Sequence, residues 1–214
     1  KKFGNVKNIS YISRYYLIKG EIFMRKTIMF TICITILSFG MIDSATTSEL
    51  NYDKLIEDDR LRKEAEALKI KKYHEDELNR FLTDIGFRES GNRYDITNTW
   101  GYMGKYQFGK STLKGLGFEV TRKEFLNNPQ LQEEAMMALL LHNKEKLQKY
   151  IDLFDGETIN GMYISESGIL AAAHLGGQGS VKRYFRNGKV FKDAYGTKIT
   201  SYMKLFSGYD IKLN

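Results

Sequence analysis

The chain has 214 residues, 42% of them hydrophobic, with a single Pro and a single Cys. This is the size and apolar content of one globular domain, which excludes a repeat array, a collagen-like fibre and a wholly disordered tail, and one cysteine excludes a disulfide scaffold. The formal net charge of +7 favours a nucleic-acid or other anionic partner only if the folded part of the chain carries it.

A targeting segment is predicted near the start of the sequence. Two basic residues, 25–26, follow Met24, an apolar run covers residues 27–42, and small residues stand at 44–46. A basic region, a short apolar region and small residues are the three parts of a secretory signal peptide, which we predict over residues 24–45. The alternative is a membrane anchor, but the run is shorter than the ~20 residues that a spanning helix needs.

The other N-terminal features refine this prediction. Residues 1–23 contain no Met, and we interpret them as a leader ahead of a translation start at Met24. Cys33 lies inside the apolar run rather than just after it, which disfavours a lipoprotein. Residues 1–45 hold seven of the 33 basic and two of the 26 acidic residues, so the rest carries 26 and 24, a net charge of +2. We therefore expect a protein exported to the periplasm, cell envelope or extracellular space, with no nucleic-acid partner and no stable membrane anchor.

Residues 46–77 are predicted to form a charged, polar helical arm. From Glu49 to about Gly86 the sequence is rich in Glu, Lys, Arg and Leu and contains no Pro, which favours a helix. The first half of this helix carries only a thin apolar stripe, which is typical of a solvated helix. We expect the folded domain to begin at Leu78 and to cover residues 78–214.

The end of the same helix carries a candidate acid, Glu89. Leu78, Leu82, Ile85 and Glu89 lie at positions i, i+4, i+7 and i+11, so the carboxyl group continues the buried face of the helix. Apolar neighbours and the negative end of the helix dipole both favour the uncharged form of a carboxyl group. A carboxylic acid that stays protonated is the proton donor that cleavage of a glycosidic bond requires. The alternative is an exposed glutamate in the last helical turn.

Residues 101–108 read Gly-Tyr-Met-Gly-Lys-Tyr-Gln-Phe and are called the glycine loop below. Two glycines three positions apart let the backbone pass close to a ligand or to another segment. Five aromatic residues lie within residues 94–108, and sugar sites combine aromatic faces with a few polar groups. The glycine loop is therefore predicted to bind a ligand, the alternative being an aromatic core beside a hairpin.

A long helix is predicted downstream of the glycine loop. Residues 121–124 fit a capping box, and Asn128 followed by Pro129 fits the start of a helix over residues 129–153. His142 lies near the buried side of this helix and is expected to be a core histidine rather than a catalyst.

Shorter helices are predicted towards the C-terminus. Ser165 is the expected cap of an apolar helix over residues 168–175 that ends at the glycine pair 176–177. A helix that is apolar on every side belongs in the middle of a domain. Another short helix is expected after Ser180, and a last one over residues 199–206.

Three motifs together resemble those of the lysozyme-like lytic transglycosylases. They are Arg-Glu-Ser-Gly at residues 88–91, the glycine loop, and Ala-Ala-Ala-His-Leu-Gly-Gly at residues 171–177. The family pattern reads Glu-Ser, then Gly-Ala-x-Gly-Leu-Met-Gln, then Ala-Tyr-Asn-Ala-Gly, and the most similar branch reads Gly-Tyr-x-Gly-Lys-Tyr-Gln-Phe and Ala-Ala-His-Leu-Gly-Gly. The resemblance covers roughly residues 78–185 and implies an all-α, lysozyme-like domain that cleaves peptidoglycan.

The resemblance also implies roles for individual residues. Glu89 would act as general acid and then as general base. The substrate-binding residues that it implies are Ser90, which would support the site loop, Gln107 at the cleavage point, and Tyr102, Met103, Tyr106 and His174. Ala173 and His174 stand where the common family members carry Tyr and Asn. Tyr163 and Tyr102 are the candidates to replace that missing tyrosine.

The expected reaction is a lytic transglycosylation at the β-1,4 bond between N-acetylmuramic acid and N-acetylglucosamine. Glycosidases ordinarily use two carboxyl groups. The carboxyl nearest in sequence after Glu89 is Asp95, which has no marked catalytic context. A single-carboxylate reaction that ends in a 1,6-anhydro product is therefore preferred. The alternatives are a muramidase in which Asp95 positions water, and a non-catalytic peptidoglycan-binding envelope protein.

The sequence predicts no metal or other cofactor. The three histidines are scattered and lack the spacing of metal ligands. The expected partner is the glycan strand of peptidoglycan, and the expected state is a monomer.

Overall fold

A computed structural model describes the backbone of residues 42–213 and the side chains from Asn51 onward. The predicted leader at 1–23 and residues 24–41 of the predicted signal peptide lie outside the described residues. Within the described residues, every helix is too short or too polar to span a bilayer.

The described part of the chain is mostly helical, as predicted. Its helices are α1 (Ile42–Ser90), α2 (Lys110–Gly115), α3 (Arg122–Leu126), α4 (Pro129–Phe154), α5 (Glu166–Asn187) and α6 (Ile199–Leu205). Between α4 and α5, strands β1 (Thr158–Ile159) and β2 (Met162–Tyr163) pair antiparallel, with Thr158 opposite Tyr163. This small hairpin was not predicted. Its turn places Asn160 and Gly161 at φ 51° and 74°, the conformation that the Asn-Gly pair favours.

Helix α1 has two differently stabilised parts, and the chain divides into two units between Glu66 and Ala67. In the first unit, almost all side chains from Asn51 to Glu66 are exposed. Arg60 bonds to Glu64 one turn later at 2.7 Å and also pairs with Glu57. Because these side chains are exposed, local charge pairs rather than a core stabilise this segment.

The second unit contains the hydrophobic core. Phe81, Leu82 and Ile85 of α1 are buried in it, which confirms the apolar stripe predicted for the end of this helix. The ring of Phe81 packs edge-on against Phe206 at 5.9 Å and against Tyr209 at 5.4 Å.

Helix α5 lies at the centre of this unit, as its composition predicted. Residues 167–173 are buried, and small alanine side chains let the neighbouring helices approach closely. The helix packs against both α4 and α6. Phe154 of α4 stacks on Phe185 of α5 at a centroid distance of 4.6 Å.

The predicted helix starts are confirmed. The Asn128 side chain accepts the Leu131 N–H at 3.0 Å, and Ser165 Oγ accepts the Gly168 N–H at 3.1 Å. Residues 121–124 form the capping box at the start of α3.

The expected stop at the glycine pair 176–177 is a kink instead. Gly177 has φ 74° and ψ 153°, which interrupts the helical geometry, but the helix resumes and continues to Asn187. Glycine tolerates this positive φ because it has no Cβ. The kink turns the second half of α5 and brings Gln178 to the wall of the groove described next.

Candidate active site

A groove of about 460 Å³ opens in the second unit. Its lining comes from the end of α1, the glycine loop, α2, α4, the kinked region of α5, and the segment before α6. The polar and aromatic residues that line it include Glu89, Asn98, Tyr102, Gln107, His142, Asn143, His174, Gln178, Asp193 and Tyr195. The groove thus gathers Glu89, the glycine loop and the 171–177 motif, which the sequence placed far apart.

Glu89 lies in the last turn of α1, and its side chain is 15% exposed. The Tyr202 hydroxyl donates a hydrogen bond to Glu89 Oε1 at 2.6 Å. The same oxygen lies 3.6 Å from Nε2 of His174. Because α1, α5 and α6 each supply one member of this trio, the packing of three helices determines the orientation of the carboxyl group.

The two partners of Glu89 are uncharged near neutral pH. Burial lowers the pKa of His174, although the nearby Glu89 carboxylate acts in the opposite direction. Burial, with the adjacent Glu89 carboxylate, raises the pKa of Tyr202. Glu89 thus contacts two side chains that carry no charge of their own near neutral pH.

The glycine loop is a tight hairpin that carries Gln107 to the groove. Met103 and Phe108 exchange two backbone hydrogen bonds of 2.9 and 2.8 Å. Gln107 has φ 51°, an uncommon value for a residue with a side chain, and its Nε2 donates to the Gly104 carbonyl at 2.9 Å. Tyr102 lines the groove beside it, so both residues occupy positions compatible with the predicted role.

Gly104 explains why the loop lies so close to α4. Its φ is 73°, and a Cβ at this position would come within 2.0 Å of Gln132 Oε1. The Gln132 side chain accepts the Lys105 N–H at 2.9 Å and donates to the carbonyls of Phe125 and Tyr94 at 2.8 and 3.0 Å. A side chain at residue 104 would therefore separate the loop from this buried amide.

Ser90 attaches the glycine loop to α1 and does not line the groove. Its hydroxyl donates to the Lys105 carbonyl at 2.8 Å and accepts the Arg93 N–H at 3.0 Å. This agrees with the supporting role expected for Ser90 rather than with direct contact to substrate.

Met103 and Tyr106 correct the sequence analysis, which expected both to line the groove. Met103 is 3% exposed and Tyr106 is fully buried, and both belong to the core. The hairpin turns these side chains away from the groove, and Glu133 of α4 accepts a hydrogen bond from the Tyr106 hydroxyl. Burial, reinforced by Glu133, raises the pKa of Tyr106.

Asp95 also differs from expectation. Its side chain is 77% exposed, lies 3.5 Å from Arg93, and does not line the groove. The carboxylate that lines the groove besides Glu89 is Asp193, whose Oδ1 accepts the N–H groups of Tyr195 and Thr197 at 2.9 and 2.7 Å. Sequence reasoning missed Asp193 because it lies in a polar segment far from the three motifs.

Tyr202 is the other residue that sequence reasoning missed. Glu89 accepts its tyrosine hydrogen bond from Tyr202 and not from either suggested tyrosine: Tyr163 is 52% exposed on the hairpin, and Tyr102 lines the groove. The available sequence signal was the spacing of Ile199, Tyr202, Met203 and Phe206, which puts Tyr202 on the buried face of α6. His142 was expected in the core, but it is exposed and lines the groove.

In the part of the chain that the structure describes, no group of three or more His, Cys, Asp and Glu side chains is arranged to hold a metal ion.

Comparisons with protein-family models, with curated proteins and with solved structures found no match to this chain.

Proposed function

We propose that this chain is a peptidoglycan lytic transglycosylase with a lysozyme-like helical domain. The observation that carries the proposal is the trio at the groove: Glu89 is mostly buried, Tyr202 donates a hydrogen bond to one of its oxygens, and His174 lies beside the same oxygen. A carboxyl group held in this way beside a glycine-aromatic loop has the placement that a general acid for glycoside cleavage requires.

The first step is bond cleavage. Glu89 donates its proton to the oxygen that leaves with N-acetylglucosamine, and the bond from that oxygen to C1 of N-acetylmuramic acid breaks. The 2-acetamido oxygen of the muramic acid stabilises the oxocarbenium-like state, so the substrate supplies the group that a second carboxylate supplies in other glycosidases. Tyr202 keeps the carboxyl oriented while its proton leaves.

The second step closes a ring. The C6 hydroxyl of the muramic acid attacks C1, and the Glu89 carboxylate takes the hydroxyl proton, which regenerates the acid. No water is consumed, and the product carries a 1,6-anhydro end. Glycan strands are the proposed partner, and the proposed location is the cell envelope, reached by export of a monomer.

A hydrolase that cleaves the same bond is the second candidate. Asp193 favours this hydrolase, because its carboxylate lies in the groove and is able to position a water molecule there. The exposed Asp95 lies outside the groove lining and is not placed to do so. Hydrolysis leaves a reducing end, whereas transglycosylation leaves an anhydro end. Asp193→Asn is expected to leave anhydro product formation intact, and loss of reducing ends in this variant would favour the hydrolase.

The test is digestion of purified peptidoglycan followed by mass spectrometry of the released muropeptides. We expect anhydromuramyl ends from the unmodified protein and at least about a 100-fold slower release from Glu89→Gln, since the amide has no proton to donate. Glu75→Gln makes the same chemical change on an exposed position of α1 and is expected to retain full release. Binding to peptidoglycan without any release would instead identify a non-catalytic binding protein.

A further inference from the structure

Two residues of the groove lining carry unpaired polar atoms. Asn143 Nδ2 and Gln178 Oε1 are buried, and neither has a hydrogen-bond partner among the described residues. Leaving a buried polar atom unpaired is unfavourable, so such atoms are rare unless a ligand or water pairs with them.

Two amides on helix α4 show the contrast directly. Gln132 is fully buried and its side chain makes three hydrogen bonds to backbone groups. Asn143 lies further along the same helix and is 2% exposed, but its Nδ2 has no partner in the described chain. The Gln132 side chain is therefore hydrogen-bonded within the folded protein, whereas the Asn143 Nδ2 donor has no acceptor there.

The unpaired atoms of Asn143 and Gln178 are chemically complementary to one ligand group. Asn143 Nδ2 is a donor on α4, and Gln178 Oε1 is an acceptor on α5, directly after the kink at Gly177. A secondary amide carries an acceptor carbonyl and a donor N–H. The terminal torsions of Asn and Gln are broad, so both side chains can turn towards a ligand in the groove at small cost.

We propose that Asn143 and Gln178 form a binding niche for a secondary amide of the ligand. Asn143 donates to the carbonyl oxygen of that amide, and Gln178 accepts its N–H. The proposal rests on the proposed function for the identity of the ligand, which is a peptidoglycan strand. Such strands offer this chemistry from two sources, the acetamido group of an amino sugar and the amide that begins the stem peptide.

The test uses Asn143→Leu, which replaces the amide by an apolar group of similar size, with Gln132→Leu as the matched control on the same helix. Both variants are made together with Glu89→Gln, so that binding is measured without turnover. The measurements are the thermal unfolding midpoint and the dissociation constants for a hexamer of N-acetylglucosamine and for the corresponding hexamer of glucosamine.

We expect Asn143→Leu to raise the unfolding midpoint and to weaken binding of the N-acetylated hexamer at least tenfold, with no comparable change for the glucosamine hexamer. Gln132→Leu is expected to lower the midpoint. Gln178→Met is a second, independent variant and is expected to weaken the N-acetylated ligand in the same selective way.

A further ligand pair separates the two sources of the amide. If the niche binds the stem peptide, Asn143→Leu leaves the affinity for the N-acetylated hexamer unchanged but weakens binding of intact glycan strands relative to strands stripped of their peptides. The proposal is overturned if the loss of affinity caused by Asn143→Leu and Gln178→Met is the same with and without the acetyl groups and with and without the stem peptides. It is also overturned if Asn143→Leu lowers the unfolding midpoint as Gln132→Leu does. The proposed function fails separately, if the unmodified protein releases no muropeptides.

Discussion

Below the glycine loop, Gln132 makes three hydrogen bonds and Glu133 accepts three more, from Lys105, Tyr94 and Tyr106. On the groove side, Asn143 Nδ2 and Gln178 Oε1 have no hydrogen-bond partner within residues 51–213. The two polar side chains below the loop are paired inside the protein, whereas each of these two groove amides keeps an unpaired atom. The difference separates residues that maintain the structure from residues that we assign to the ligand.

The paired side contains a partly buried charge cluster. Lys105 Nζ lies 2.8 Å from Glu133 Oε1 and 4.8 Å from the centre of the Tyr106 ring. Burial alone would raise the pKa of Glu133, but the hydrogen bonds from Lys105, Tyr106 and Tyr94 outweigh it and hold this pKa below its ordinary value. Burial and the bond to Glu133 raise the pKa of Tyr94 to about 12. The cluster therefore holds the loop against α4 with every main member paired.

The largest effect is expected from Gln132→Leu. The variant leaves the Lys105 N–H and the carbonyls of Tyr94 and Phe125 without their side-chain partner. Unpaired buried groups of this kind cost about 3 kcal/mol in total, or roughly 10 °C in the unfolding midpoint. Thermal unfolding checks this, and a midpoint equal to that of the unmodified protein would remove the distinction between the two sides of the loop.

Glu133→Gln is expected to have the next largest effect, about 2 kcal/mol of destabilisation at pH 7, because it leaves the buried ammonium of Lys105 without its counter-charge. Since the folded state lowers the pKa of Glu133, its stabilising contribution is present above its ordinary pKa of about 4.3 and is lost as the pH falls through the lower, folded value. The difference in stability between variant and unmodified protein should therefore shrink on acidification. Denaturant unfolding at pH 7 and pH 3 measures it, and a constant difference would contradict the assignment.

Tyr202→Phe sharpens the comparison on the groove side. Removing the hydroxyl takes away the hydrogen bond to Glu89 Oε1, and we expect muropeptide release about tenfold slower, with a stability change of only about 1 kcal/mol. Tyr163→Phe is the matched control, since Tyr163 is exposed on the β1–β2 hairpin and is expected to leave the rate unchanged. Equal rates for both variants would show that Tyr202 does not orient the acid.

His174→Asn is expected to have the smallest effect, on the pH dependence of stability. The folded state lowers the pKa of His174, so its contribution is present above its unfolded pKa of about 6.5 and is lost as the pH falls below that value. The slope of this loss is at most about 1.4 kcal/mol per pH unit. The variant should lose less stability than the unmodified protein between pH 7.5 and pH 5.5. His142→Asn, which makes the same substitution at the exposed groove histidine, is the matched control variant.

Sequence reasoning succeeded where local rules apply. The caps at Asn128 and Ser165, the buried stripe that leads to Glu89 and the apolar centre of α5 all follow from side-chain type and spacing. It was less successful in the glycine loop. The motif marked residues 101–108 as important, but it did not distinguish Gln107, which lines the groove, from Tyr106, which is buried against Glu133. That distinction depends on the turn at Gly104 and on the buried amide of Gln132.

The sequence by itself determined the helices, the buried face of α1 and the position of a glutamate at its end, because periodicity and capping act over a few residues. Only the tertiary structure decided that Tyr202 contacts Glu89, that Asp193 rather than Asp95 lines the groove, and that Asn143 and Gln178 are left unpaired. These relations join residues up to 113 positions apart. Hydrogen-bond partners at such separations depend on how the helices pack and where α5 kinks, which no local pattern specifies.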